Sequence, residues 1–278
     1  MIRKERETDF TNQERPSTRR GQFFDIFKHR FVELLKLSLL QTVFNVPLFV
    51  SIILFHSLVK NSSSIDALMT VFIIQGGALL VSVPISFIGM TGTFYSIKKI
   101  AYSEGEYASS SFFIGLREEW KKGFVIGLFS GLSTCIAVIG FFFAYFYLSN
   151  INQTISGLAI AMLSIQLLLV LIVCYYSLAQ SVIYINKLIY VLKNSFIMTL
   201  IRFPINLFCF ILHPGIFIAL ILIMDITMYV GVVLLVFLVA VGHLLWMMNL
   251  LGTFDKYINK ENYPDYYRKG LKIETEEA

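Results

Sequence analysis

The chain has 278 residues, a mean hydropathy of +0.72 and a net charge of +5, with 56% hydrophobic and 15% charged residues. An ordinary soluble domain carries about 25% charged residues. A soluble fold of this size cannot hide so much apolar surface, so lipid must solvate much of the chain. Composition excludes a nucleic-acid binder, a soluble enzyme and a disordered chain as first readings.

Residues 1–20 are polar and form a tail expected to be disordered. They contain no apolar run of the signal-peptide kind, so the first membrane helix is expected to act as an uncleaved anchor. A bilayer core needs about 20 apolar residues per helix. Six stretches within residues 21–255 meet that need: 31–58, 67–97, 124–148, 155–180, 203–224 and 227–251. The runs are continuously apolar, which favours helices over the alternating strands of a barrel. The expected fold is all-α: a six-span helical bundle with amphipathic helices at its basic face. The first two spans exceed the minimum length and carry Pro47 and Pro84 near their middles, where kinks are expected. Residues 256–278 read as a C-terminal tail.

Orientation follows from the basic residues. Segments 1–36, 98–122, 187–202 and the tail hold 22 of the 23 Lys and Arg, and only Lys60 falls on the other side. Both termini are therefore expected in the cytoplasm, and the protein in a bacterial cell membrane.

The segments leading into spans one, three and five share a pattern. Phe24, Phe27 and Phe31 recur at i, i+3 and i+7, as do Phe113, Leu116 and Trp120, and Ile189, Leu192 and Phe196. A basic residue follows the second member of each set: Lys28, Arg117 and Lys193. That stripe is one helix face. Such a helix lies along a membrane surface with cations near phosphates. Phe27, Trp120 and Phe196 are the expected apolar anchors, and Lys28, Arg117 and Lys193 the cationic ones. The chain then reads as three units of surface helix plus hairpin, unless the short pattern recurs by chance.

Gly123, Gly127 and Gly131 are spaced by four, the spacing that lets helices approach closely in lipid. Ionisable groups inside a membrane default to functional suspicion. Here they are His213 and His243, roughly 15 and 12 Å from the basic end at 1.5 Å per residue. Gln41, Asn45, Gln75 and Gln166 could line a polar cavity with them, or simply bridge helices. Cys135, Cys174 and Cys209 lie in apolar runs without metal spacing. No phosphate-binding loop, zinc-protease motif or nucleophile elbow occurs. No catalytic residue, metal or cofactor is expected.

Several runs resemble the YesL-like family of bacterial polytopic membrane proteins. They include Asn45-Val46-Pro47, Pro84 to Gly89 with Tyr95 and a basic pair, Phe112-Phe113, and Trp120 to Gly123. Leu192 to Ser195 leads to Phe203-Pro204-Ile205-Asn206, and Tyr263 to Leu271 closes the set. The resemblance spans about 20–272. It implies a Gram-positive-type context and association with carbohydrate uptake, and it supplies no catalytic residues. The leading expectation is a non-enzymatic accessory or regulatory factor for carbohydrate import, with the lipid bilayer and a sugar-transporter permease as partners and no nucleic acid. The alternative is a transporter or channel for a small polar solute.

Overall fold

A computed structural model describes residues 15–104, 107–215 and 225–272. Every regular element among them is helical, and they form one bundle. Helix α1 is Arg19–His29, α2 Phe31–Asn61 and α3 Ile65–Ala101. Helix α4 is Ala108–Phe143, carried by a wider turn through to Ile151. Helix α5 is Gln153–Ile183, α6 Leu188–Ile201, α7 Phe203–Phe210 and α8 Asp225–Phe254.

Among the described residues five helices are long and apolar enough to cross a membrane: Phe31–Asn61, Ile65–Ala101, Ala108–Ile151, Gln153–Ile183 and Val236–Asn262. A sixth crossing requires α6 and the segment Phe203–Gly215, bent by 93°, to count as one span. Residues 216–224 of the expected fifth span lie outside the described residues.

Local chemistry sets the helix starts. The Thr18 hydroxyl accepts from Gly21 N to open α1, Ser64 accepts from Ala67 N to open α3, and Asn152 accepts from Thr154 N to open α5. These are side-chain caps for otherwise orphaned N–H groups. Helices α2 and α3 continue through Pro47 and Pro84 without ending. The bend between α6 and α7 falls at Arg202, two residues before Pro204, which has no N–H to give to the Leu200 carbonyl.

Helices α3 and α4 pack along their whole length through glycines. A Cβ on Gly123 would meet the Thr91 hydroxyl at 2.1 Å, and one on Gly127 would meet Pro84 Cα at 2.7 Å. A Cβ on Gly131 would lie 3.1 Å from the Leu79 carbonyl. The contact is reciprocal, because Gly92 of α3 receives the Phe112 ring of α4.

Three expectations are corrected. The segment carrying Arg117 and Trp120 is no separate surface helix, since α4 runs unbroken from Ala108 through it into the span. Only α1 and α6 are set off, by breaks at Arg30 and Arg202. Tail residues 15–20 are ordered, with Arg19 buried in the first turn of α1. The C-terminal segment 256–272 is also folded. Its turns bring Lys272 N to the Pro16 carbonyl at 3.1 Å and bury Leu271. Gly270, at φ +82°, passes so close to Ala101 that a Cβ would meet the Ala101 carbonyl at 1.9 Å. No other residue type fits there.

Candidate functional site

Pro214 shapes the backbone at His213. A residue before proline is pushed from helical to extended geometry, and His213 has φ −163° and ψ 117°. The helix through α7 therefore breaks at the histidine, in the turn Ile211–Gly215. The break turns the His213 ring against α8, where Gly242 leaves room for it. A Cβ on Gly242 would lie 2.1 Å from His213 Cδ2. The freed His213 carbonyl accepts from Trp246 Nε1 at 2.6 Å.

His243 lies one residue beyond that glycine. Its ring meets that of His213 at 5.3 Å between centroids and 87° between planes. Phe94 of α3 and Tyr175 of α5 pack against His243 at 5.3 and 5.8 Å, and Tyr175 stacks on Trp246 at 4.6 Å. Gln41 of α2 donates its amide N–H to His243 Nε2 over 2.9 Å. A neutral His243 ring then carries its proton on Nδ1. That Nδ1 and Gln41 Oε1 are buried without a hydrogen-bond partner among the described residues.

Of the six polar residues expected to share a cavity, the fold thus gathers His213, His243 and Gln41. The other three lie elsewhere. Asn45 accepts from the Ser86 hydroxyl at 2.6 Å, and Gln166 donates to Ser133 Oγ at 2.6 Å. Gln75 lines a groove between α2 and α3 that includes Pro47. Phe94, Tyr175 and Trp246, which enclose the pair, carried no sequence signal beyond the helical i, i+3 spacing of His243 and Trp246. The expected anchors Phe27, Lys28, Arg117, Trp120, Lys193 and Phe196 all lie on the outer surface of the bundle.

A second polar cluster closes the basic end, and sequence reasoning missed it. Arg19 Nε donates to Asp255 Oδ2 at 2.9 Å, and the Arg19 NH2 nitrogen lies 2.8 Å from the same oxygen. Asp255 Oδ1 accepts from Asn259 Nδ2 and from Arg268 N. Asn259 Oδ1 in turn accepts from the Tyr184 hydroxyl at 2.5 Å. Gln22 Nε2 donates to the Ala101 carbonyl at 2.6 Å and to the Gly270 carbonyl at 3.3 Å. Helix α1 and the segment 268–270 are thereby tied to the ends of α3 and α8.

Beside this knot Glu104 bridges Lys99 at 2.8 Å and Lys269 at 2.7 Å. Burial alone would raise the Glu104 carboxyl, but hydrogen bonds from Lys269 and Lys99 outweigh it and hold the group below its usual range. Burial pushes the Tyr102 and Tyr184 phenols up. A third cluster joins α5, α7 and α8. There Asn206 Oδ1 accepts from the Tyr176 hydroxyl and from Asn249 Nδ2, at 3.0 and 3.1 Å. No group of three or more His, Cys, Asp and Glu suited to a metal occurs among the described residues.

Comparison with family models, with curated proteins and with solved structures returns no match.

Proposed function

We propose that the chain is a non-enzymatic polytopic membrane protein that acts by holding a partner rather than by passing a solute through its own core. The observation that carries this reading is that three intramembrane polar residues bond across neighbouring helices. Gln41 is bonded to His243, Asn45 to Ser86 and Gln166 to Ser133. Polar pairs of this kind join helices in lipid, at about 0.6–2 kcal/mol each.

The distribution of basic residues supports a cytoplasmic location for both termini, and the folded basic end would then offer its surface to a partner. The resemblance to the YesL-like family supports a sugar-transporter permease in a bacterial cell membrane as that partner. The role is then accessory or regulatory in carbohydrate uptake. Deletion of the gene should lower uptake of at least one sugar, and the tagged protein should co-purify with a permease. Unchanged uptake together with no recovered permease would refute the reading.

One observation favours a second reading, a transporter or channel for a small polar solute. Discontinuous helices mark substrate sites in transporters, and the helix through α7 breaks at His213 beside His243. Solute flux through the purified protein in liposomes, abolished by Gln41→Leu, would establish that reading in place of the first.

A further inference from the structure

Helix α1 carries polar groups inward and aromatic rings outward. At 3.6 residues per turn, its buried residues Arg19, Gln22 and Ile26 fall within an arc of about 60°, and Arg20, Phe24, Phe27 and Lys28 fall within about 100° on the opposite side. Phe24 is 58% exposed and Phe27 38%. The buried face fixes that roll. Arg19 pairs with Asp255 and donates to Gln22 and to the Lys269 carbonyl, while Gln22 donates to the Ala101 and Gly270 carbonyls. Turning α1 to cover Phe24 and Phe27 would strand the Asp255 charge in the interior. The two rings must be covered from outside the fold.

Continuity and charge identify the cover. The Phe27 ring meets Phe31 edge to face at 5.4 Å, and Phe31 opens the span α2. Val32, Leu39, Val43 and Val46 follow along one face of α2, all exposed, so the aromatic face of α1 runs on into the lipid-facing side of a span. Arg20 and Lys28 flank the rings about two turns apart. Both are exposed, and neither has an ion-pair partner among the described residues. The one carboxylate of α1, Asp25, bonds His29. Rings at the acyl boundary with basic residues beside them are the make-up of a helix that lies in a membrane surface, where long cationic side chains reach up to the phosphates.

We propose that the outward face of α1 is seated in an anionic leaflet, with Phe24 and Phe27 among the upper acyl chains and Arg20 and Lys28 on the phosphates of anionic phospholipids. Each basic residue close to an anionic lipid surface is worth about a fivefold preference over zwitterionic lipid. The seat depends on neither reading of the protein's function.

The test uses the full chain in phosphatidylcholine vesicles with a tryptophan reporter, Phe24→Trp, whose fluorescence is read as the excess over the Phe24 protein. Vesicles are doped with either phosphatidylglycerol or phosphatidylcholine brominated high on an acyl chain. Both lipids should quench the reporter, phosphatidylglycerol with the higher apparent affinity, and aqueous iodide should not. Lys28→Gln should lower that preference about fivefold, and adding Arg20→Gln should lower it about fivefold again. Quenching by phosphatidylcholine should stay intact in both variants, which also shows that they are folded. A second reporter, Ile165→Trp on an exposed mid-span position of α5, should not respond to the two substitutions. Equal quenching by the two lipids at Phe24→Trp would overturn the proposal, as would a preference that both substitutions leave unchanged or that changes equally at Ile165→Trp. So would a Phe24→Trp reporter that iodide reaches, or one that neither lipid nor iodide reaches, which would put a second copy of the chain on that face.

Discussion

His213 and His243 meet edge to face in the bundle, 5.3 Å apart, because the glycine before His243 leaves the space that the His213 ring fills. The contact joins the break after α7 to α8, and Gln41 extends it to α2. A methyl group at position 242 would occupy the place of the imidazole. Gly242→Ala should therefore destabilise the protein by about 1–3 kcal/mol, the usual cost of overpacking. The readout is thermal unfolding in detergent. An unchanged midpoint would mean that the ring does not sit against Gly242.

The glycine stripe between α3 and α4 supplies a matched pair of variants. Gly127→Ala drives a Cβ to 2.7 Å from the Pro84 backbone, whereas a Cβ on Gly77 meets nothing within 4 Å. The first should cost about 1–3 kcal/mol. The second should be neutral or stabilise by up to about 1 kcal/mol, since alanine is the better helix former. Equal midpoints for the two variants would show that helix propensity, not close approach, governs the stripe.

The Arg19–Asp255 pair should behave as a buried ion pair. Removing one partner leaves the other charge uncompensated, at about 3–5 kcal/mol. Arg19→Met alone should lower the thermal midpoint more than Arg19→Met combined with Asp255→Asn. If the double variant is the weaker protein, the pair is a net stabiliser and the buried charge is not what costs.

Much of this architecture could be read from sequence, and the unread parts have physical reasons. Bilayer thickness fixes how long an apolar run must be, so hydropathy located the spans of α2 to α5. Gly123, Gly127 and Gly131 were visible because helix packing in lipid imposes a period of four. The segment from Phe113 to Trp120 misled, because an amphipathic stripe looks the same on a surface helix and on the projecting end of a span. There Phe112, outside the stripe, is the fully buried residue and Phe113 the exposed one. The tie between Arg19 and Asp255 spans 236 residues and left no local pattern. In the site, depth along two spans brought His213 and His243 to similar levels, but only the fold shows that Asn45 and Gln166 are bonded elsewhere.

Acid should loosen the basic end through Glu104. Its carboxyl is held below the usual range by Lys269 and Lys99. A depressed carboxylate stabilises the fold above its unfolded-state value, and that contribution fades as pH falls through the folded-state value. The difference in thermal midpoint between the Glu104 protein and Glu104→Gln should be present near pH 7 and shrink as pH drops below the ordinary carboxylate range. A difference independent of pH would remove the Lys99–Glu104–Lys269 bridge from the account.

Whether the core conducts is the central question, and flux answers it most directly. Purified full-length protein in liposomes would be challenged with a panel of mono- and oligosaccharides and small ions, beside protein-free vesicles. With Gln41, Asn45 and Gln166 committed to internal bonds, the expected result is no flux above the empty vesicles for any solute. Saturable uptake of even one solute, lost on Gln41→Leu, would contradict the account and make the histidine pair part of a transport path.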